Sequence, residues 1–473
     1  MGYDEDYFNS DEFKEILEEY EQSVESGIPV YMDVDDLSDV ADYYQMKERY
    51  DDAVAAVDRA LELSPGATLP LVFKIREAIG EGNIEAAEDY FSRIDDPTDV
   101  EAQYVQAEIL IAQDKCDEAE ELFRKQLQMI DPDEYQDFVV DVASIFTDYG
   151  VYDKAMEWIM RGRQENSDDF KELMGRTLFG LGRYKDSERI FNELIDRNPF
   201  QKRYWNALAS SQFMREDYGA SVTSSEYAIA IDPDDPDGLL AKANGLSHLN
   251  NFEESLSYYE RYTEHVPNDE FALLNQGACL INLERFNEAA DRLEQALHVA
   301  PDDSPYLADI YQELGFVYSE LHKPDTALYY LDQTDKLEGV DQVDMMVVKG
   351  HVLMANNRVD EAEKLFSRAV KESGNSPRVM LRVIVSLYDN RYTEAAFNMF
   401  HRYFDFVDND WNEGYSYMAL CCWELREYTE FLKYLKEAVE RNPKEARLVL
   451  DHLFPEGMEP KDYVGFIMEK LKN

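Results

Sequence analysis

The chain has 473 residues, with 100 Asp and Glu against 46 Lys and Arg, a formal net charge of −54. At 45% hydrophobic and 13% aromatic residues it carries enough apolar surface for a large core, which excludes wholesale disorder. A phosphate backbone or an anionic membrane needs Lys/Arg stripes, against which this acid excess argues, while the length alone suggests roughly three domains.

The amino terminus, Met1-Gly2-Tyr3-Asp4-Glu5-Asp6, lacks the basic start and apolar run of a secretory signal. Gly2 does not make a myristoylation motif, because Asp6 stands where Ser or Thr is needed. No stretch approaches the ~20 apolar residues of a membrane span. Four cysteines are too few for a disulfide framework and read as small buried hydrophobes in a reducing compartment, so the sequence predicts a cytoplasmic protein. Phe13, Ile16, Leu17, Tyr20 and Val24 form a helical stripe, read as a capping helix behind a floppy acidic tail within residues 1–33.

From there one phrase recurs, an aromatic or apolar residue, two mostly polar residues, then Ala or Ser. Examples are Tyr50-Asp51-Asp52-Ala53, Tyr184-Lys185-Asp186-Ser187, Phe286-Asn287-Glu288-Ala289 and Tyr392-Thr393-Glu394-Ala395. Anchored on the small residue, the series runs from Ala53 to Ala395, with Phe431 closing it, at gaps of 32 to 38 residues. Each unit reads as two helices. In the sixth, Trp205, Leu208, Ala209 and Phe213 lie on the first, Glu216–Gly219 turn, and the second runs from about Ala220 to Ile231. Pro and Asp at 232–235 stop it. The first helix repeats a small residue, among them Ala41, Ala107, Gly175, Gly277, Gly315 and Gly350, which lets paired helices approach closely. The turn aromatic is expected to wedge between units, making the Tyr and Phe excess mostly core. The one 38-residue gap predicts an insertion near Ser304–Tyr306. Beyond residue 445, Tyr463, Val464, Ile467, Met468 and Leu471 make a second capping stripe within 446–473.

This pattern strongly resembles the tetratricopeptide repeat (TPR), in the manner of bacterial-type multi-repeat superhelical arrays. The resemblance covers residues 34–445 as about twelve repeats and implies an all-α, right-handed superhelix with caps at both ends. Pro324, Gln103 and Phe431 depart from the family pattern in single repeats. The resemblance also implies a concave groove lined by first helices. There the candidate partner-binding residues are Arg176, Phe179, Arg203, Asn206, Ser210, Phe213, Asn244, Asn275, Gln312 and Phe316. Amides suit a peptide backbone and Phe its side chains. The carboxylate-gripping TPR subclass is rejected, since Leu240, Asp309 and Glu313 stand where its cations belong.

Catalytic signals are missing. There is no phosphate-binding glycine loop, no His-x-x-x-His pair, no Cys-x-x-Cys and no Gly-x-Ser-x-Gly elbow, so no enzyme, metal or cofactor is expected. The first 60 residues hold 19 acids and 4 bases, whereas residues 171–205 hold 5 acids and 8 bases. Acids also open eight first helices, from Asp35 to Glu413, where the helix dipole favours them. Their field favours a basic partner, and Arg176 with Arg203 offers a local site for an acidic side chain. The reading is a non-catalytic scaffold or adaptor that binds a peptide or protein, with self-association left open. The alternatives are an RNA-binding helical repeat, disfavoured by charge, and a non-catalytic subunit of an enzyme complex.

Overall fold

The computed structural model describes residues 5–27, 32–47, 49–162, 166–408, 410–455 and 457–470. Gly2 and Leu471 lie outside them. Among the described residues every regular element is helical, and consecutive helices pack as antiparallel-type pairs joined by short turns. Two compact units divide the chain, Met1–Ala241 and Lys242–Asn473, with the boundary inside the helix Pro236–His248.

Among the described residues the turn within most pairs is a Schellman motif. In the pair Lys202–Met214 and Tyr218–Ile231, Glu216 sits at φ 63°, its N–H donates to the Phe213 carbonyl at 2.8 Å, and Asp217 N–H donates to Gln212 at 3.0 Å. The second helix thus starts two residues earlier than the sequence predicted, because the Asp217 carboxylate accepts from Ala220 N–H and caps it there. The same left-handed residue recurs at Gly82, Asp114, Gly150, Gly182, Asn250, Glu284, His322, Asn357, Arg391 and Arg426. Five residues on, the side chain is fully buried, as at Ala87, Ser187, Ser255, Ala289, Ala362 and Phe431.

That spacing corrects one anchor. After Arg391 the buried residue is Ala396, at 0% exposure, whereas Ala395 is exposed. The helix opens at Thr393 with Tyr392 as its N-cap, so the aromatic precedes the helix here instead of starting it.

Small first-helix residues do make room for large second-helix ones. A Cβ on Gly175 would lie 2.9 Å from the Phe191 ring, and one on Gly277 2.6 Å from Leu293. The turn aromatics behave differently from a pure core. Tyr50 and Tyr428 are exposed, while Tyr152 presses on Gly180 of the next pair and the Phe286 ring meets Phe316 at 6.4 Å. They wedge between pairs with one face in water. The extra residues of the longest gap fall in the helix-free stretch 300–306, where Ser304 Oγ accepts from Tyr306 N–H.

The ends differ from expectation in detail. Tyr7 and Phe8, read as part of a floppy tail, belong to the short helix Glu5–Phe8. The Tyr7 hydroxyl donates to Asp39 at 2.6 Å, and Phe8 packs edge-on against Phe13. The helix Asp11–Ser26 buries Phe13 and Tyr20 but leaves Val24 exposed, as the stripe is narrower than five residues. In Pro460–Lys470, Tyr463 and Ile467 are buried and Met468 is exposed. No described helix is long and apolar enough to cross a membrane. Cys279, Cys421 and Cys422 are buried, and burial pushes the last two thiols up to about 12.

Candidate functional site

The first helices carry the candidate residues because their sequence places a second, non-core stripe beside the small residue. The residues following the small ones at Asp42, Glu108, Arg176, Ser210, Asn244, Phe316 and His351, and Arg76 after Ile75 at the same position, fall about 100° round the helix from the buried line. In the unit Met1–Ala241 the stripe is charged at Asp42, Arg76, Glu108 and Arg176. Arg76, on Thr68–Gly80, grips Glu108, on Val100–Ala112, at 2.7 Å through Nη2 and at 3.1 Å through Nε, and the Tyr149 hydroxyl adds a third bond at 3.1 Å. Glu108 is 4% exposed, so this charge-assisted pair bridges adjacent repeats under partial desolvation.

Arg176 pairs with Asp148 at 2.7 Å, and Arg203 with Glu172 at 3.0 Å. Both guanidinium groups are therefore already met by carboxylates of the preceding repeat. The expected site for an external acidic side chain is filled by the chain's own acids, because successive first helices sit close enough for a one-repeat reach. Arg176 does line a cleft together with Phe179 and Ser210, walled by Thr147, Tyr152, Phe191 and Ala207. Phe179 and Phe213 each meet the aromatic opening their own second helix, Tyr184 and Tyr218, edge-on at 5.3 Å. Neither is a free platform, yet both remain half-buried.

The amides each commit one group to the fold. Asn206 Nδ2 donates to Asp235 at 2.7 Å, leaving its buried Oδ1 without a partner. Asn244 accepts from the Tyr259 hydroxyl at 2.5 Å, while Asn275 and Gln312 donate to carbonyls one turn back on their own helices, Phe271 and Ala308. Ser210 does the same to Asn206. Asn244, Asn275, Gln312 and Phe316 belong to the second unit, so the ten residues fall into two separate groups.

Sequence reasoning missed two features. In the first unit, Asp42, Glu101 and Asp141 are half-buried acids. Burial pushes Asp42 up to about 6, with Asp39 adding to the effect, and it raises Glu101 and Asp141 as well. One cleft holds Asp42, Glu101 and Arg76 against Leu69, Phe73 and Val57, and Glu101 Oε2 is buried with no partner. The only signal was acid outside the first turn, at Asp42 and Asp141. In the second unit, Phe316 lines an apolar groove with Val347, Val348, His351, Val385 and Tyr417. Here the helix Gln342–Ala355 carries more apolar residues than its core side takes up, and Val348 is left partly exposed in the groove. Among the described residues no group of His, Cys, Asp and Glu could hold a metal ion. The acid series at first-helix starts holds from Asp35 to Asp344, but Glu413 precedes its helix, which opens at Tyr415 after Gly414.

Residues 173–236 match the family model described as tetratricopeptide repeat. The protein STIP1 homolog of Dictyostelium discoideum is 25% identical over 195 residues, which is 41% of this chain and 27% of that protein. The match thus spans about a quarter of the curated relative's length. Among solved structures, MamA from Desulfovibrio magneticus RS-1 is similar over 37% of this chain and 96% of its own, at 16% identity and TM-score 0.35. YrrB, described as a TPR protein with an unusual peptide-binding site, is similar over 39% of this chain and 92% of its own, at 23% identity and TM-score 0.30. The APC/C hetero-tetramer Cut9–Hcn1 is similar over 89% of this chain and 76% of its own, at 14% identity and TM-score 0.37.

Proposed function

We propose that this chain, a tetratricopeptide-repeat protein, is a non-catalytic scaffold or adaptor that holds a basic peptide segment of a partner protein along its first-helix faces. TPR proteins typically mediate protein–protein interactions; the segment, its charge and the residues that hold it are our reading.

The observation that carries the basic character is the set Asp42, Glu101 and Asp141. These carboxylates are half-buried, and the arginine beside them, Arg76, is already held by Glu108. Carboxylates stripped of part of their water gain from an incoming Lys or Arg more than surface acids do. The net charge of −54 steers such a partner in and disfavours nucleic acid. Arg176, Phe179, Arg203, Asn206, Ser210, Phe213, Asn244, Asn275, Gln312 and Phe316 then supply contact and orientation. Asn275 and Gln312 keep a carbonyl oxygen for a peptide N–H, and Asn244 keeps its amide N–H for a peptide carbonyl.

The test titrates the full chain with terminally blocked lysine-rich and glutamate-rich peptides of equal length at low salt. The lysine-rich peptide should bind, and Asp42→Asn with Glu101→Gln should weaken it about tenfold while helicity stays unchanged. Equal binding of both peptides, or no loss in the double variant, rejects the reading. Cross-linking in native extract then identifies the partner.

A further inference from the structure

The apolar groove of the second unit crosses four consecutive first helices, Leu307–Glu320, Gln342–Ala355, Pro377–Asp389 and Tyr415–Glu424. Its walls are Phe316, which is 43% exposed, with Val347, Val348, Val385 and Tyr417. Two polar side chains, His351 and Ser386, also line it beside the buried Val352 and Leu381. His351 Nδ1 lies 2.9 Å from Ser386 Oγ and 3.3 Å from Asn390 Nδ2, and burial lowers the affinity of its ring for a proton.

The rim supplies the asymmetry. Arg382, the one cation lining the groove among the described residues, forms an ion pair with Asp344. Asp389 lines the groove, and Asp389 and Glu320 both act on the His351 ring. Neither meets a Lys or Arg among the described residues. Asp389 stands one turn beyond Val385 on the same helix face of the groove, so an occupant with an apolar side chain between Phe316 and Val385 brings its neighbouring residue over Asp389. Covering a carboxylate with apolar surface leaves an uncompensated charge, which is strongly unfavourable. Covering it with an ammonium or guanidinium turns the same desolvation into a paired contact. A second copy of this chain fits poorly, since each copy brings a net charge of −54 to a rim that is already acidic.

We propose that this groove seats a partner segment in which an aliphatic side chain lies beside a Lys or Arg, the aliphatic group between Phe316 and Val385 and the cation on Asp389. The proposal rests on the peptide-binding reading above and adds a sequence preference to it: apolar then basic, where the first unit asks only for positive charge.

Four short blocked peptides, alike except for a central Leu-Leu-Lys, Leu-Leu-Gln, Leu-Leu-Glu or Ser-Ser-Lys, are titrated with the full chain by fluorescence anisotropy at moderate salt. Leu-Leu-Lys should bind tightest, with Leu-Leu-Gln about tenfold weaker, as expected for a charge-assisted hydrogen bond. Asp389→Asn should bring those two probes level. Val385→Ser should weaken both Leu-Leu probes with Lys or Gln and leave Ser-Ser-Lys unchanged. A Lys preference that survives Asp389→Asn overturns the assignment of the cation. Ser-Ser-Lys binding as well as Leu-Leu-Lys overturns the groove while leaving the general basic-peptide reading intact. Failure of that reading is seen separately, as indifference of every probe to Asp42→Asn with Glu101→Gln and to peptide charge. Sedimentation showing a dimer that Val385→Ser dissolves would make the second copy the occupant and also overturn the proposal.

Discussion

Gly315 lies on Leu307–Glu320 directly beneath Leu331 of Pro324–Gln333, a side chain with no exposed surface. A methyl group added at Gly315 would stand 2.6 Å from both Cγ and Cδ2 of Leu331 and 3.1 Å from Cδ1. Carbon atoms rest at about 3.5–4.0 Å, so roughly 1 Å of space must be found. The branch point itself is struck, so turning Leu331 about χ2 does not relieve the clash, and a χ1 change must move a side chain that is fully buried. Gly315→Ala gains about 1 kcal/mol of helix propensity and loses about 1–3 kcal/mol to overpacking, a net loss near 1 kcal/mol. Gly315→Leu places three further carbons in the same space and should reach about 3 kcal/mol or more. Leu331→Ala alone should cost about 2–5 kcal/mol through the cavity it leaves, and less by about 1 kcal/mol in a Gly315→Ala background, where the added methyl fills part of that cavity. Gly219, with no atom within 4 Å of an added Cβ, is the control, and its change to Ala should be neutral or slightly stabilising. Repeat arrays need not unfold in one step, so amide hydrogen exchange of the two helices is the assay, with urea unfolding beside it. If Gly315→Ala matches Gly219→Ala, or if Leu331→Ala is equally costly in both backgrounds, the close-approach argument is wrong.

Three further outcomes are expected. Asp42 is pushed up to about 6 from 3.8, so between those pH values the folded chain holds a proton the unfolded chain has released. Stability therefore falls as pH rises through that window, and Asp42→Asn should stabilise by about 2 kcal/mol at pH 7 and by almost nothing at pH 4, read from urea midpoints. Arg76→Met strands the buried Glu108 carboxylate and should cost about 3–5 kcal/mol, most of it regained on adding Glu108→Leu, measured by thermal unfolding. At the corrected anchor, Ala396→Leu should destabilise by about 1–3 kcal/mol while Ala395→Leu stays within about 0.5 kcal/mol, checked by the same scan.

Much of the helix-pair arrangement was legible because its determinants are local. The small residues at Ala41, Gly175 and Gly315, the proline stops and the roughly 34-residue spacing all act within one repeat. The slip at Ala395 has a local cause too. Ala395 and Ala396 are adjacent and identical, so only the left-handed turn at Arg391 tells which one faces inward. Val24 and Met468 were misjudged for another reason. Among the described residues the helices that carry them pack through the inner part of the stripe, which leaves Val24 and Met468 exposed.

The candidate site was less legible, and there the physics is non-local. Arg176 and Arg203 read in sequence as free cations, and Arg76 carried no sequence signal of its own. Each is in fact met by a carboxylate 28 to 32 residues away on a neighbouring first helix. Glu101 read in sequence only as an acid opening a first helix and Asp42 not at all, whereas packing beside Leu69 and Phe73 removes much of their water. The amino-acid sequence by itself determined the all-α class, the repeat period and the acidic field, since these follow from residue type and spacing along one chain. Only the tertiary structure decided which charges cancel and which remain, because ion pairing and desolvation depend on distances between helices that adjacent residues do not set.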